Sequence, residues 1–318
     1  MKSVKPLRAT SSSAILAVAA ALLFTWPVRS AQPLTASTCD VEDVGEVVAR
    51  YLATRDEYVN AFRNLVAEET KTIEVFHASG EVEKRREIVS DLVVYSAARG
   101  GREVATEYRD VRSVDGRAVD RRAERALKLV TKAANAASIT KELETINNET
   151  RRYEFSRHLR GFTINWGGIG KQWRGDVQVD RAGRDQLAGS DVVVLAYRRT
   201  SPSASTIPLP REFGAAKVHD QGRLWIDVHT CQLRRGVWEL AAPHPDAAEP
   251  LVIIRADLTY RPSAFGILVP DRIVFDWMDR FTHPKNRPPS FVLSERMTFT
   301  YGTFKRFEVG TDEEVHLK

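Results

Sequence analysis

Residues 251–260 read LVIIRADLTY. Val252, Ile254, Ala256, Leu258 and Tyr260 are apolar, and Arg255, Asp257 and Thr259 between them are polar. A period of two belongs to a β-strand, whose successive side chains point to opposite faces. One face is expected to be buried and the other wet, as in antiparallel sheets. The pattern returns in Ile273, Phe275 and Trp277, and again in Phe291, Leu293, Met297, Phe299 and Tyr301. Upstream, residues 224–228 and 233–240 flank a turn at His229-Thr230, and 192–197 is an almost unbroken apolar run. Residues 72–76, 88–95 and 104–111 are rich in β-branched and aromatic side chains, with Gly80 and Gly100-Gly101 as punctuation. The pattern predicts about nine or ten antiparallel strands. A sheet that wide curls.

Two stretches follow a helical period instead. Val44, Val47, Val48, Tyr51 and Leu52 form one apolar stripe, with Asp40 as the expected N-cap and Glu42 and Asp43 in the first turn. In residues 120–157, Ala123, Ala126, Leu127, Val130 and Ala134 share a face, and Ile139, Leu143 and Ile146 continue it. The expected fold is α+β: a curved antiparallel half-barrel, an N-terminal helix, and an inserted helical segment at 120–157 packing on the concave face. Residues 31–39 read as a linker and 40–318 as one domain.

The first thirty residues read as a secretory signal peptide. Lys2, Lys5 and Arg8 precede the uncharged run of residues 14–24, and Val28 and Ser30 supply the small residues for cleavage. That run is shorter than the ~20 residues of a membrane span, so the processed chain is not expected to be an integral membrane protein. The protein is expected to be exported, to a periplasmic or extracellular site. The leader also carries most of the net positive charge. Of 47 Lys+Arg, four lie in it and none of the 42 Asp+Glu do, which leaves 43 against 42. Such a balance gives no reason to expect nucleic acid as a partner.

The two cysteines are Cys39 and Cys231. In an oxidising compartment they can pair, and two unpaired thiols are the alternative. No catalytic signature is present. Gly167-Gly168-Ile169-Gly170-Lys171 lacks the spacing and the Ser/Thr of a phosphate loop, and no GxSxG occurs. His229 and Cys231 lack the further ligands that zinc needs. Glu68 and Glu69 are adjacent on a strand and point to opposite faces, so they cannot act as a pair. Asp276 and Asp279 read as surface charges. No cofactor or metal is implied.

Several segments resemble a family of uncharacterised secreted proteins common in acidobacterial genomes. They are Val66-Ala67-Glu68-Glu69; Tyr108-Arg109-Asp110-Val111 with Val114-Asp115-Gly116-Arg117, Arg122 and Leu127; Arg152-Tyr153 with Thr163-Ile164-Asn165; Gly222-Arg223-Leu224-Trp225-Ile226-Asp227 with Thr230; Leu268-Val269-Pro270; and residues 304–309. The resemblance covers nearly all of the chain after the leader and implies no activity. The family hairpin carries Gly where Cys231 stands. In element order the chain also resembles the outer-membrane lipoprotein carrier (LolA-like) fold, whose members bind acyl chains in the hollow of a half-barrel. This implies a non-catalytic binding module for a lipid or another apolar ligand. Val252, Ile254, Leu258, Tyr260, Phe275, Trp277, Met297 and Phe299 would supply apolar surface. A second expectation is an interaction or scaffold module with a solid core and envelope proteins as partners. A hydrolase ranks third.

Overall fold

The computed structural model describes residues 38–62, 65–99, 102–120, 122, 148, 151–155, 176–201, 203–204, 217–243, 250–278, 280–282 and 290–306. The leader, the Gly167–Lys171 loop, Asp279 and nearly all of the expected helical insertion lie outside them. Of that insertion only Asp120, Arg122, Asn148 and residues 151–155 are described, the last including a 3-10 turn at Arg151–Tyr153.

One helix, α1 (Val44–Ala61), precedes the strands. Asp43 rather than Asp40 caps it, because the Asp43 Oδ1 accepts the Glu46 N–H at 2.6 Å. Asp40 instead meets Arg184. The first meander is β1 (Leu65–Phe76), β2 (Val82–Arg99), β3 (Arg102–Val114) and β4 (Arg117–Ala118). The second is β5 (Val177–Leu187), β6 (Ser190–Arg199), β7 (Ser203–Ala204), β8 (Lys217–Asp227), β9 (Leu233–Ala242), β10 (Leu251–Pro262) and β11 (Leu268–Trp277). The short β12 (Arg280–Thr282) and β13 (Ser290–Val292) pair with each other, and β14 (Glu295–Tyr301) and β15 (Lys305–Arg306) follow.

The main sheet runs β4-β3-β2-β1-β14-β11-β10-β9-β8-β6-β5, with β15 on β1 and β7 on β8. Its pairings are antiparallel, and it is open and curved. The two meanders meet where β1 pairs with β14, from Glu69 opposite Tyr301 to Val75 opposite Glu295. There are more strands than the pattern predicts, because the added ones are short or lack alternation.

The register gives the sheet two unlike faces. On the inner face, Ala256 lies opposite Trp238 and Phe275, Phe275 opposite Met297, and Met297 opposite Ile73. These side chains are buried and belong to one core with Val47, Tyr51 and Leu52 of α1. On the outer face one cross-strand row runs Glu239, Arg255, Asp276, Arg296, Glu74, Arg85, alternating in sign across six strands. Arg296 holds Asp276 through two bonds of 2.6 and 2.8 Å. Opposite charges directly across strands attract, and water solvates what remains.

Tight turns obey local chemistry. Asp115 and Gly116 both have positive φ, 50° and 76°, between the paired Val114 and Arg117. A two-residue hairpin loop of this hand is the usual use of Asp-Gly.

A tyrosine-walled cleft under the helix

The helix is fastened at both ends. Near its start, Cys39 and Cys231 form a disulfide with a Cα–Cα distance of 5.3 Å, which removes Cys231 as a thiolate for a metal. The Cys39 N–H donates to the Val228 carbonyl at 2.7 Å, and Arg181 donates to the Val41 carbonyl at 2.9 Å. At its end, Arg306 donates to the Ala61 carbonyl at 3.1 Å. There Phe62 packs on Phe304 with ring centroids 5.5 Å apart, and Phe304 on Tyr301 at 5.8 Å.

Between these anchors the helix presents Tyr51, Thr54, Arg55 and Tyr58 to the sheet. Residues three, four and seven apart share a helical face. Together with Gln232, Leu233, Tyr260, Leu268 and Cys231 they line a cleft of about 370 Å³ including its mouth. Only ≈ 30 Å³ of this is clear of the walls, room for about one water.

Five of the eight tyrosines converge around this interface. Tyr58 is close enough to Tyr260, Tyr301 and Tyr51 to feel each of them, and Tyr197 feels Tyr51. Burial pushes the Tyr51 phenol up to about 12, with Arg55 pulling it the other way. Burial likewise holds Tyr58, Tyr197 and Tyr260 above the ordinary phenol range. All four are neutral hydrogen-bond donors at physiological pH. Tyr197 owes its position to Gly222, where an added Cβ would lie 2.7 Å from the Tyr197 hydroxyl and 2.1 Å from the Val237 carbonyl oxygen.

Beside the cleft the inner face turns ionic. Arg109 grips Glu69 with bonds of 2.6 and 2.9 Å and reaches Glu107 at 3.0 Å. Burial alone would pull the guanidinium down, but Glu69 and Glu107 hold it well above its usual range. Lys71 meets Glu154 at 2.5 Å and lies over the Phe299 ring. On the opposite face Glu68 meets Arg112, so the two adjacent glutamates do part company. Asp110 binds Arg122 at 2.7 Å, which gives the Arg109-Asp110 string a structural use on both faces. Among the described residues no group of His, Cys, Asp and Glu could hold a metal ion.

The eight apolar residues expected to touch a ligand are distributed unevenly. Ile254, Leu258, Phe275, Trp277, Met297 and Phe299 share the buried inner face. Tyr260 alone among the eight lines the cleft. Val252 falls out of phase, because a bulge between Val252 and Ile254 inserts an extra residue and buries Ile253. Thr54, Arg55 and Tyr58 escape an apolar-stripe reading, since Thr and Arg interrupt it after Leu52. The signal that could have found them is the i, i+4, i+7 recurrence of Tyr51, Arg55 and Tyr58.

No family model matches the chain, and no curated protein does. Solved structures similar to it include a DUF1329 family protein from Desulfovibrio piger, at 9% identity over 84% of this chain and 95% of that one, TM-score 0.32. A LolA superfamily protein from Nitrosomonas europaea is 10% identical over 82% and 94%, TM-score 0.29. The Mycobacterium tuberculosis lipoprotein LppX is 10% identical over 83% and 99%, TM-score 0.23. LolA-superfamily proteins are thus among the structures this chain is similar to. Likeness at these TM-scores says nothing of ligand or activity. Among the described residues no helix is long and apolar enough to cross a membrane.

Proposed function

We propose that the chain is an exported, non-catalytic binding module that takes an apolar, lipid-like ligand between α1 and the inner face of the sheet. The observation that carries this reading is the cleft. It lies beneath a helix pinned at both ends, opens between aromatic rings, and borders a continuous apolar face. Ligand pockets are concave and mostly apolar, with a few placed polar groups. The core beneath is filled, so uptake lifts the middle of α1 while its two anchors hold. Ile254, Leu258, Phe275, Trp277, Met297 and Phe299 are then the floor a ligand chain meets.

The test has two parts. Native mass spectrometry of chain purified after export should show an apolar species that leaves on denaturation. The purified protein should also bind the neutral dye N-phenyl-1-naphthylamine, and Leu233→Trp, which fills the cleft, should weaken that binding about tenfold or more, the equivalent of ~1.4 kcal/mol. An apo mass in every preparation together with no dye binding would sink the reading.

A second reading draws on the outer face. A groove of about 710 Å³ there is lined by Arg234, Arg235, Arg255, Arg272 and Arg296 with Asp257 and Asp276 among others. Its paired charges suit a protein partner, consistent with an interaction module. Clean apo mass and retained co-purification with an envelope protein would favour it.

A further inference from the structure

The hydroxyl of Tyr58 is buried and has no hydrogen-bond partner among the described residues. It belongs to a side chain that walls the cleft. A neutral phenol in that position is a donor lacking an acceptor, and leaving one buried so is costly. Arg55, on the same helical face, brings a guanidinium to the same cleft. Its charge is felt by Tyr51 on the helix and by Tyr260 across from it on β10. From β3, Glu107 also acts on Tyr58, but that carboxylate already bonds Arg109. The rest of the wall is largely apolar: Leu233, Leu268 and the tyrosine rings.

A donor hydroxyl and a cation lining one largely apolar cleft suit a molecule that is apolar along its length and anionic at its tip. Resting on the reading above, we infer that the ligand is a long-chain carboxylate, its head received by Tyr58 and Arg55 and its chain directed over Leu233 and Leu268. A carboxylate accepts from both a phenol and a guanidinium, and a charge-assisted bond is stronger than a neutral one. A cationic head would face Arg55. A ligand with no polar atom would leave the Tyr58 hydroxyl buried without an acceptor.

The experiment uses the full exported chain, with laurate as the carboxylate and N-phenyl-1-naphthylamine as the neutral apolar probe. Laurate should displace the dye from the wild type. Tyr58→Phe keeps the ring and removes only the hydroxyl; it should weaken laurate about tenfold more than it weakens the dye, the worth of one hydrogen bond. Arg55→Gln should act in the same direction. Far-UV circular dichroism of each variant should overlay that of the wild type. Equal laurate affinity in wild type and Tyr58→Phe would overturn the carboxylate inference while leaving the apolar-ligand reading intact. So would an equal loss of laurate and dye, which would mean a change of shape rather than of head recognition. If the wild type bound neither probe, both readings would fall together.

Discussion

Cys231 stands in the left-handed region, with φ at 53°, where an L side chain is strained and glycine is not. Here the residue accepts the backbone strain and returns a covalent tie to Cys39, across 192 residues. The chain-entropy model values such a tie at roughly 5 kcal/mol, as an upper figure. The two effects can be separated. Cys39→Ser with Cys231→Ser should lose most of the disulfide's stabilisation, whereas Cys39→Ser with Cys231→Gly should recover about 1 kcal/mol by relieving the strain. Urea denaturation of the two double variants compares them directly, and a serine variant as stable as the glycine one would refute the strain argument. From sequence, the cysteine count left the pairing open because nothing in it measures the distance between residues. The 5.3 Å between the two Cα atoms decides it.

At the scale of elements, the β8–β9 hairpin shows how much one carboxylate can organise. Asp227 Oδ1 accepts the N–H groups of His229 and Thr230, both at 3.0 Å, and Oδ2 accepts Arg234 at 2.8 and 2.9 Å. Burial alone would raise this carboxyl, but the bonds from Arg234, Thr230 and His229 outweigh it and hold it below the usual range. A carboxylate with a lowered folded pKa gives stability that is present above its unfolded value, near 4, and lost as pH falls through the folded value. Asp227→Asn should therefore cost about 1–3 kcal/mol at pH 7. The difference from wild type should shrink as pH is lowered past 4. Chemical denaturation at pH 7, 4 and 3 checks this, and a gap that stayed constant with pH would show the carboxylate's charge to be irrelevant. Residues 224–228 were legible as a hairpin arm because they and residues 233–240 flank a turn at His229-Thr230. The role of Gly222 was not, since it depends on Tyr197 from a neighbouring strand. Likewise the alternation of residues 251–260 located β10 correctly, yet no periodicity announces the bulge that shifts Val252. The helix cap moved from Asp40 to Asp43 for a similar reason, because several acids crowd that turn and only geometry selects among them.

At the scale of the molecule, the two meanders join where β14, continued by β15, pairs with β1. Ile73 and Met297 face each other there, both fully buried. Met297→Ala should cost about 2–5 kcal/mol. If the sheet is one cooperative unit, tryptophan fluorescence and far-UV circular dichroism should show the same shifted midpoint. Two separate transitions would show that the meanders unfold independently. An open antiparallel sheet with a leading helix was readable from strand patterns alone, because in strands such as residues 251–260 each face repeats its own chemistry. The cleft was not, because its walls come from α1, β9, β10 and β11 and the turn before β9, and only tertiary pairing assembles them.

The join has a consequence for time. Glu69 finds its partner in Tyr301, so β1 must wait, open on one side, until some 230 further residues are available. Contacts so distant along a chain are slow to form. While β14 is missing, the row of backbone groups on β1 is an invitation to aggregate. A polypeptide emerging from its amino end would thus stay unsettled until its last strands arrive, and only then close its sheet. An architecture of this kind cannot complete its sheet before its C-terminal strands are available.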